Sequence, residues 1–268
     1  MVLLIERPFN ADDAKVFAEE RKGSSLRPLR KPLRTYAVKS YFVNKAQVLQ
    51  RIRDIGVIPV VRASSAEEAI QVVEAIKAGG LPILEITMTV PAAVQLIAQL
   101  ASRFSDEAII GAGTVLDAEI ARACISAGAQ FVVSPALNPE TIACCREQDI
   151  VAMPGALTPT EIVQAWSAGA DLVKVFPAGA MGGASYIKSL KAPLPQIELV
   201  PTGGVTLATA ASFIEAGAAA LGVGADLVDI KAIRSGHPEK ITEAARAYIE
   251  AVRGARRTRS VPGAVATG

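Results

Sequence analysis

From residue 45 onward the chain alternates short apolar runs with longer segments of helical periodicity. The apolar runs fall at 57–62, 83–87, 108–114, 131–134, 150–154, 172–176, 197–202 and 219–224. They are nearly continuous in Val, Ile, Leu and Ala, the pattern of parallel strands buried on both faces. Helical segments are predicted between them at 66–78, 91–102, 117–127, 139–148, 159–168, 184–191 and 207–216, with a last one at about 238–253. Thr158-Pro159-Thr160-Glu161 reads as a helix start: a capping hydroxyl, a proline in the first turn and a Glu able to close a capping box.

A repeat supports this reading. Lys77-Ala78-Gly79-Gly80, Ser126-Ala127-Gly128-Ala129, Ser167-Ala168-Gly169-Ala170 and Glu215-Ala216-Gly217-Ala218 each close a helix with glycine and lead into an apolar run. Spacings of about 40 to 50 residues match single or slightly long βα units. Eight such units predict an α/β fold, a closed (β/α)8 TIM barrel. An open doubly wound sheet is the alternative, but Gly111-Ala112-Gly113-Thr114-Val115-Leu116 lacks the third glycine of a dinucleotide fingerprint. That stretch reads better as a tightly packed strand end.

Composition adds limits. The chain has 268 residues, is 51% hydrophobic and carries a formal charge of only +2, which argues against wholesale nucleic-acid binding. No apolar run reaches the length of a membrane span. The positive charge is uneven: residues 21–53 hold ten Lys/Arg and no acid. Residues 1–42 are expected to form a flexible basic extension, 43–254 the barrel and 255–268 a flexible tail. The short apolar start is followed by Glu6, Asp12 and Asp13, which does not fit a secretory signal. The odd set Cys124, Cys144 and Cys145 forms no disulfide framework and points to a reducing, cytoplasmic setting. With His237 as the one histidine, neither a His-based metal site nor an ordinary Ser-His-Asp triad is expected.

The candidate chemistry lies inside the runs. Asp171-Leu172-Val173-Lys174-Val175-Phe176-Pro177 places Leu172, Lys174 and Phe176 on one strand face. A lysine among apolar neighbours is poorly solvated, which favours the neutral, nucleophilic amine that a Schiff base requires. Alternation likewise puts Glu85 beside Ile83 and Thr87. Lys174 is the one lysine in the eight runs, so Glu85 and Lys174 are expected to point into the barrel and meet. A structural ion pair is the competing reading, but a buried pair is often no better for stability than apolar residues. Pro201-Thr202-Gly203-Gly204 and Gly222-Val223-Gly224 follow the seventh and eighth strands, where barrel enzymes often bind phosphate.

At these residues the chain resembles the 2-keto-3-deoxy-6-phosphogluconate (KDPG) / 4-hydroxy-2-oxoglutarate (KHG) aldolase family. The matching stretches are Leu84-Glu85-Ile86-Thr87, Gly111-Ala112-Gly113-Thr114-Val115, Met153-Pro154-Gly155, Val173-Lys174-Val175-Phe176-Pro177-Ala178 and Pro201-Thr202-Gly203-Gly204-Val205, in family order. The resemblance covers about residues 45–253. It implies a class I aldolase, free of metal and organic cofactor, usually a homotrimer, acting on a small 2-keto-3-deoxy acid. By position, Lys174 becomes the Schiff-base lysine and Glu85 the general acid/base. Thr114 would contact the pyruvate carboxylate and Phe176 would pack beside the Schiff base. Thr87, Pro135, Thr202, Gly203, Gly204 and Gly224 complete the implied substrate and phosphate site.

Two departures stand out. Many members carry an Arg where this chain has Thr89. Another branch carries one at the end of the first strand, where Arg62 stands, so Arg62 is expected to supply that charge. A Ser commonly follows the last glycine, whereas Ala225 follows Gly224 here. The galactonate-derived epimer KDPGal and the non-phosphorylated substrate 4-hydroxy-2-oxoglutarate both stay open. A non-catalytic barrel with a nucleic-acid-binding arm predicts a damaged site, yet Lys174, Glu85 and Thr114 are all present.

Overall fold

The computed structural model describes residues 44–260. The extension expected at 1–42 lies outside the described residues, as do 261–268. The strands are β1 (Val57–Val61), β2 (Ile83–Thr87), β3 (Ile109–Gly113), β4 (Phe131–Val133), β5 (Val151–Met153), β6 (Gly155–Ala156), β7 (Val173–Val175), β8 (Leu199–Pro201) and β9 (Leu221–Val223). The helices are α1 (Lys45–Ile55), α2 (Ala66–Ala78), α3 (Ala93–Phe104), α4 (Ala118–Ser126), α5 (Pro139–Glu147), α6 (Pro159–Ser167), α7 (Ala184–Lys191), α8 (Leu207–Glu215), α9 (Ile230–Arg234) and α10 (Glu239–Ser260).

Every ladder is parallel. One sheet runs β5-β4-β3-β2-β1-β9 and the other β6-β7-β8. They are halves of one ring. β5 and β6 are a single stave interrupted at Pro154, with β5 paired to β4 and β6 to β7. A bridge between Thr202 and Gly222 joins the β8 end to β9. The first and last strands also pair directly, Val57 opposite Leu221. An open doubly wound sheet does not join its first and last strands in this way, so the fold is a (β/α)8 barrel.

The alternation within each strand sorts the core into two parts. Val57, Val61, Leu84, Ile86, Ala112, Val132, Val173 and Val175 pack against the helices. Ile58, Ile83, Ile109, Phe131, Val133, Val151, Met153, Leu172 and Val200 form a second cluster inside the ring. Glu85 shares the inward register of Ile83, and Lys174 that of Leu172. α1 joins the inner cluster through Val48 and Ile52, one turn apart and both buried. The apolar pattern does not mark this helix, because only those two of its residues are buried. Burying each side chain contributes about 2 kcal/mol and keeps water out of that end of the barrel.

The expected helix ends hold with two corrections. Gly128, Gly169 and Gly217 adopt the left-handed conformation, but in the first repeat Gly80 does so rather than Gly79. The chain expected to leave the fold at residue 255 instead continues α10 to Ser260. Ala255 is buried, and Arg256 donates hydrogen bonds to the carbonyls of Asp54 (2.6 Å) and Ala219 (3.0 Å). An arginine-rich sequence reads as solvated, yet this guanidinium satisfies two carbonyls next to β1 and β9. Replacing it with Arg256→Ala should lower stability by about 2 kcal/mol, seen as a lower denaturation midpoint by circular dichroism. An unchanged midpoint would mean that the end of α10 is not part of the fold.

Candidate active site

The site is built from strand ends, starting in the barrel interior. β2 carries Glu85 and β7 carries Lys174, only 2% and 3% exposed. Room for the carboxyl comes from its neighbour. Glu85 pairs in register with Gly111, and a methyl group on Gly113 would overlap the Glu85 carboxylate. Gly111 likewise makes way for the Phe131 ring. The Gly111-Ala112-Gly113 stretch is therefore a tightly packed strand end, as expected.

Glu85 and Lys174 face the same interior but form no ion pair among the described residues. Glu85 Oε1 is buried and without a hydrogen-bond partner. Burial pushes the Glu85 carboxyl above its ordinary range, and the nearby charges of Lys174 and then Arg62 only partly oppose this. The expected meeting is thus an electrostatic coupling rather than a closed salt bridge. Both groups stay uncommitted, which suits proton transfer and nucleophilic attack better than a structural pair would. The Lys174 ammonium position lies 5.4 Å from the centre of the Phe176 ring.

A pocket of about 320 Å³ opens at the C-terminal ends of the strands. Of the residues expected to bind substrate, Arg62, Phe176, Thr202, Gly203, Gly204 and Gly224 line it. Arg62 is exposed and directly follows β1; its Nη1 stands 4.0 Å from where a side chain on Gly224 would begin. Gly203 and Gly204 adopt φ of 81° and 75°, which turns the chain sharply beside Phe176. Among the described residues, the N–H groups of Gly203, Gly204 and Ala225 donate to no protein acceptor. Such amides form a cradle for an anion.

Thr87, Thr114 and Pro135 do not line this pocket. The Thr87 hydroxyl is buried and donates to the Val61 carbonyl at 3.0 Å, while Thr89 Oγ1 lies 2.6 Å from it. Thr87 therefore ties the end of β2 to the strand that carries Arg62. Thr114 is half-buried and holds φ at 60°, a conformation rare for a branched residue and often kept at functional positions. Pro135 sits so close to β6 that Gly155 could not carry a side chain. Five further residues line the pocket: Val60, Val205, Thr206, Ala225 and Asp226. Asp226 directly follows the noted Ala225, but nothing in the apolar pattern distinguishes it from a loop acid.

A buried amine and carboxyl inside a parallel barrel, below a pocket with an arginine and free backbone amides, define the class as a barrel aldolase. The chain belongs to the KDPG and KHG aldolase family, whose model matches residues 48–244. A 2-dehydro-3-deoxy-phosphogluconate aldolase of Treponema pallidum is 38% identical over 168 residues, covering 63% of this chain and 78% of that one. A 2-dehydro-3-deoxy-6-phosphogalactonate aldolase of Escherichia coli is 36% identical over 201 residues, covering 74% and 95%. The crystal structure of a KDPG aldolase from Legionella pneumophila, with pyruvate captured as a covalent carbinolamine, aligns with a TM-score of 0.68 at 31% identity. That alignment covers 76% of this chain and 98% of that one.

The raised Glu85 pKa has a consequence for stability. A carboxyl whose folded-state pKa is raised favours the fold while protonated, and that stability is lost as pH rises through the folded pKa. Glu85→Gln should match the parent protein below about pH 4 and exceed its denaturation midpoint near pH 8. A parent protein that is the more stable of the two at pH 8 would contradict the partnerless, desolvated carboxyl.

Proposed function

We propose that the protein cleaves 2-dehydro-3-deoxy-6-phosphogluconate to pyruvate and glyceraldehyde 3-phosphate through a Schiff base on Lys174. The observation that carries this reading is that Lys174 and Glu85 are both buried in the barrel interior, with Glu85 Oε1 lacking a hydrogen-bond partner and the Phe176 ring next to Lys174 lining the Arg62 pocket. The names of the relatives point the same way.

Neutral Lys174 attacks the C2 carbonyl, and the carbinolamine loses water to give an iminium. Glu85 supplies the proton that the departing hydroxide needs. It then takes the proton of the C4 hydroxyl. The C3–C4 bond breaks, its electron pair moves to the iminium as an enamine, and the aldehyde leaves. Protonation at C3 and hydrolysis return pyruvate and the free amine. A carboxyl held above its ordinary range keeps its proton to higher pH and, once ionised, is a stronger base than an exposed glutamate.

The other residues orient the substrate. Arg62 supplies positive charge to its anionic groups and stands where both Glu85 and the glycine turns feel that charge. Thr114 contacts the carboxylate end and Phe176 walls the Schiff base. Thr202 faces the hydroxylated carbons, and Gly203, Gly204 and Gly224 take the phosphate. Thr87 and Pro135 hold neighbouring strand ends.

A second reading, cleavage of the galactonate-derived epimer, is supported by the name of a relative, the 36% identical Escherichia coli protein. Cleavage of 4-hydroxy-2-oxoglutarate to pyruvate and glyoxylate is the non-phosphorylated counterpart. The working form is a cytoplasmic homotrimer. Support comes from the exposed Val163 and Trp166 on α6, three residues apart, and from three unpaired cysteines. Among the described residues no helix is long and apolar enough to cross a membrane.

Steady-state pyruvate release from both epimers and from 4-hydroxy-2-oxoglutarate tests the reading. The gluconate-derived substrate should show the highest kcat/KM, and Lys174→Ala should lower kcat at least about a thousandfold. Faster cleavage of the other epimer replaces the substrate assignment, whereas full activity of Lys174→Ala rejects the mechanism. Light scattering of the full chain should return the mass of three copies.

A further inference from the structure

The pocket at the strand ends contains a charge of the wrong sign for its proposed ligand. Asp226 lines it together with Arg62, Gly203, Gly204 and Gly224. A free carboxylate facing a phosphate would oppose binding. Its contacts show a different role. Asp226 Oδ2 accepts a hydrogen bond from the Leu207 N–H, the first amide of α8, at 2.9 Å. The same oxygen accepts one from the Tyr248 hydroxyl at 2.5 Å. Tyr248 is fully buried on α10, far along the chain from the pocket loops. Burial, and then the Asp226 carboxylate, push its phenol well above the ordinary range, so it remains a donor.

The three groups belong to three elements. Asp226 is two residues beyond the Gly224 that ends the β9 turn. Leu207 opens the helix that follows Gly203 and Gly204. Tyr248 is fixed in the core of the last helix. Both loops that carry the free amides of the pocket are thereby tied to one carboxylate, and that carboxylate is tied to the core. We propose that Asp226 and Tyr248 form a latch that positions the Gly203–Gly204 and Gly224–Ala225 amides for the phosphate of the substrate. Tyr248 touches no substrate; it is a positioning residue. The inference rests on the phosphate reading of the pocket given above.

The latch acts on one end of the substrate only. Tyr248→Phe removes one hydroxyl and keeps the buried ring. In the full-length protein it should raise KM for 2-dehydro-3-deoxy-6-phosphogluconate about tenfold, with kcat changed less than about twofold. KM and kcat for non-phosphorylated 4-hydroxy-2-oxoglutarate should stay as in the parent. Inhibition by inorganic phosphate should weaken by the same factor. In an Asp226→Ala background, Tyr248→Phe should have no further effect on any of these, because its partner is gone. A general loss of packing would instead change both substrates alike, and would add to Asp226→Ala.

The outcomes separate cleanly. A parent protein that cleaves neither substrate overturns the proposed function and the latch with it. A parent that is active, with Tyr248→Phe changing both substrates equally or neither, overturns the latch alone. So does an additive double variant. If Tyr248→Phe folds too poorly to assay, Asp226→Ala carries the same substrate comparison, and equal effects on both substrates reject the latch.

Discussion

The structure depends on holding a carboxyl in an apolar interior with one of its oxygens, Glu85 Oε1, left without a hydrogen-bond partner. An ionised carboxylate there would cost several kcal/mol, and this burial holds the Glu85 carboxyl above its ordinary range. Three features make this possible. Gly113 vacates the space that the Glu85 carboxyl fills. The ring closes through β1 and β9 and leaves no open edge to admit water. Val48 and Ile52 of α1 join the inner cluster. Lys174 then faces a low-dielectric space in which its charge acts on Glu85 without engaging it in a salt bridge. An ion pair at this place would neutralise both groups for structural ends. Leaving them apart keeps both groups available for the roles proposed above.

Polarity increases from this interior toward the mouth. Below lie the apolar inner cluster and the two uncommitted groups. Above lie Arg62, the glycine turns with their free amides, and solvent. A molecule with a ketone at one end and an anion at the other matches that gradient: the ketone carbon needs a dry amine, and the anion needs donors that stay hydrated until it arrives. Barrel topology fixes the arrangement because the ends of β1, β7, β8 and β9 all converge on the same mouth.

Much of this was legible in the chain. The eight apolar runs, their spacing and their alternation define the barrel and turn Glu85 and Lys174 inward, because burial on both faces of a parallel strand leaves so little latitude. Thr158 and Glu161 form the capping box their spacing promised. What stayed hidden depends on contacts distant in sequence. α1 contributes only two buried residues, so its apolar stripe is too thin to read. The fifth apolar run ends at Pro154, so Gly155 and Ala156, which continue the stave and pair with β7, lie beyond it. The end of α10 looks like a basic tail until Arg256 is seen against the carbonyls of Asp54 and Ala219. The expected contact of Glu85 with Lys174 became a coupling through space, since register sets the face of a side chain but not its last ångströms. Asp226 could not be separated from any other loop acid before Tyr248, 22 residues on, was placed against it.

The central claim is that a desolvated Lys174 forms the covalent bond to the substrate. Incubating the full-length protein with pyruvate and borohydride, followed by peptide mass mapping, tests it most directly. The account predicts one reduced pyruvate adduct per chain, on Lys174 and on no other lysine. An adduct on a different lysine, or none at all, would contradict it.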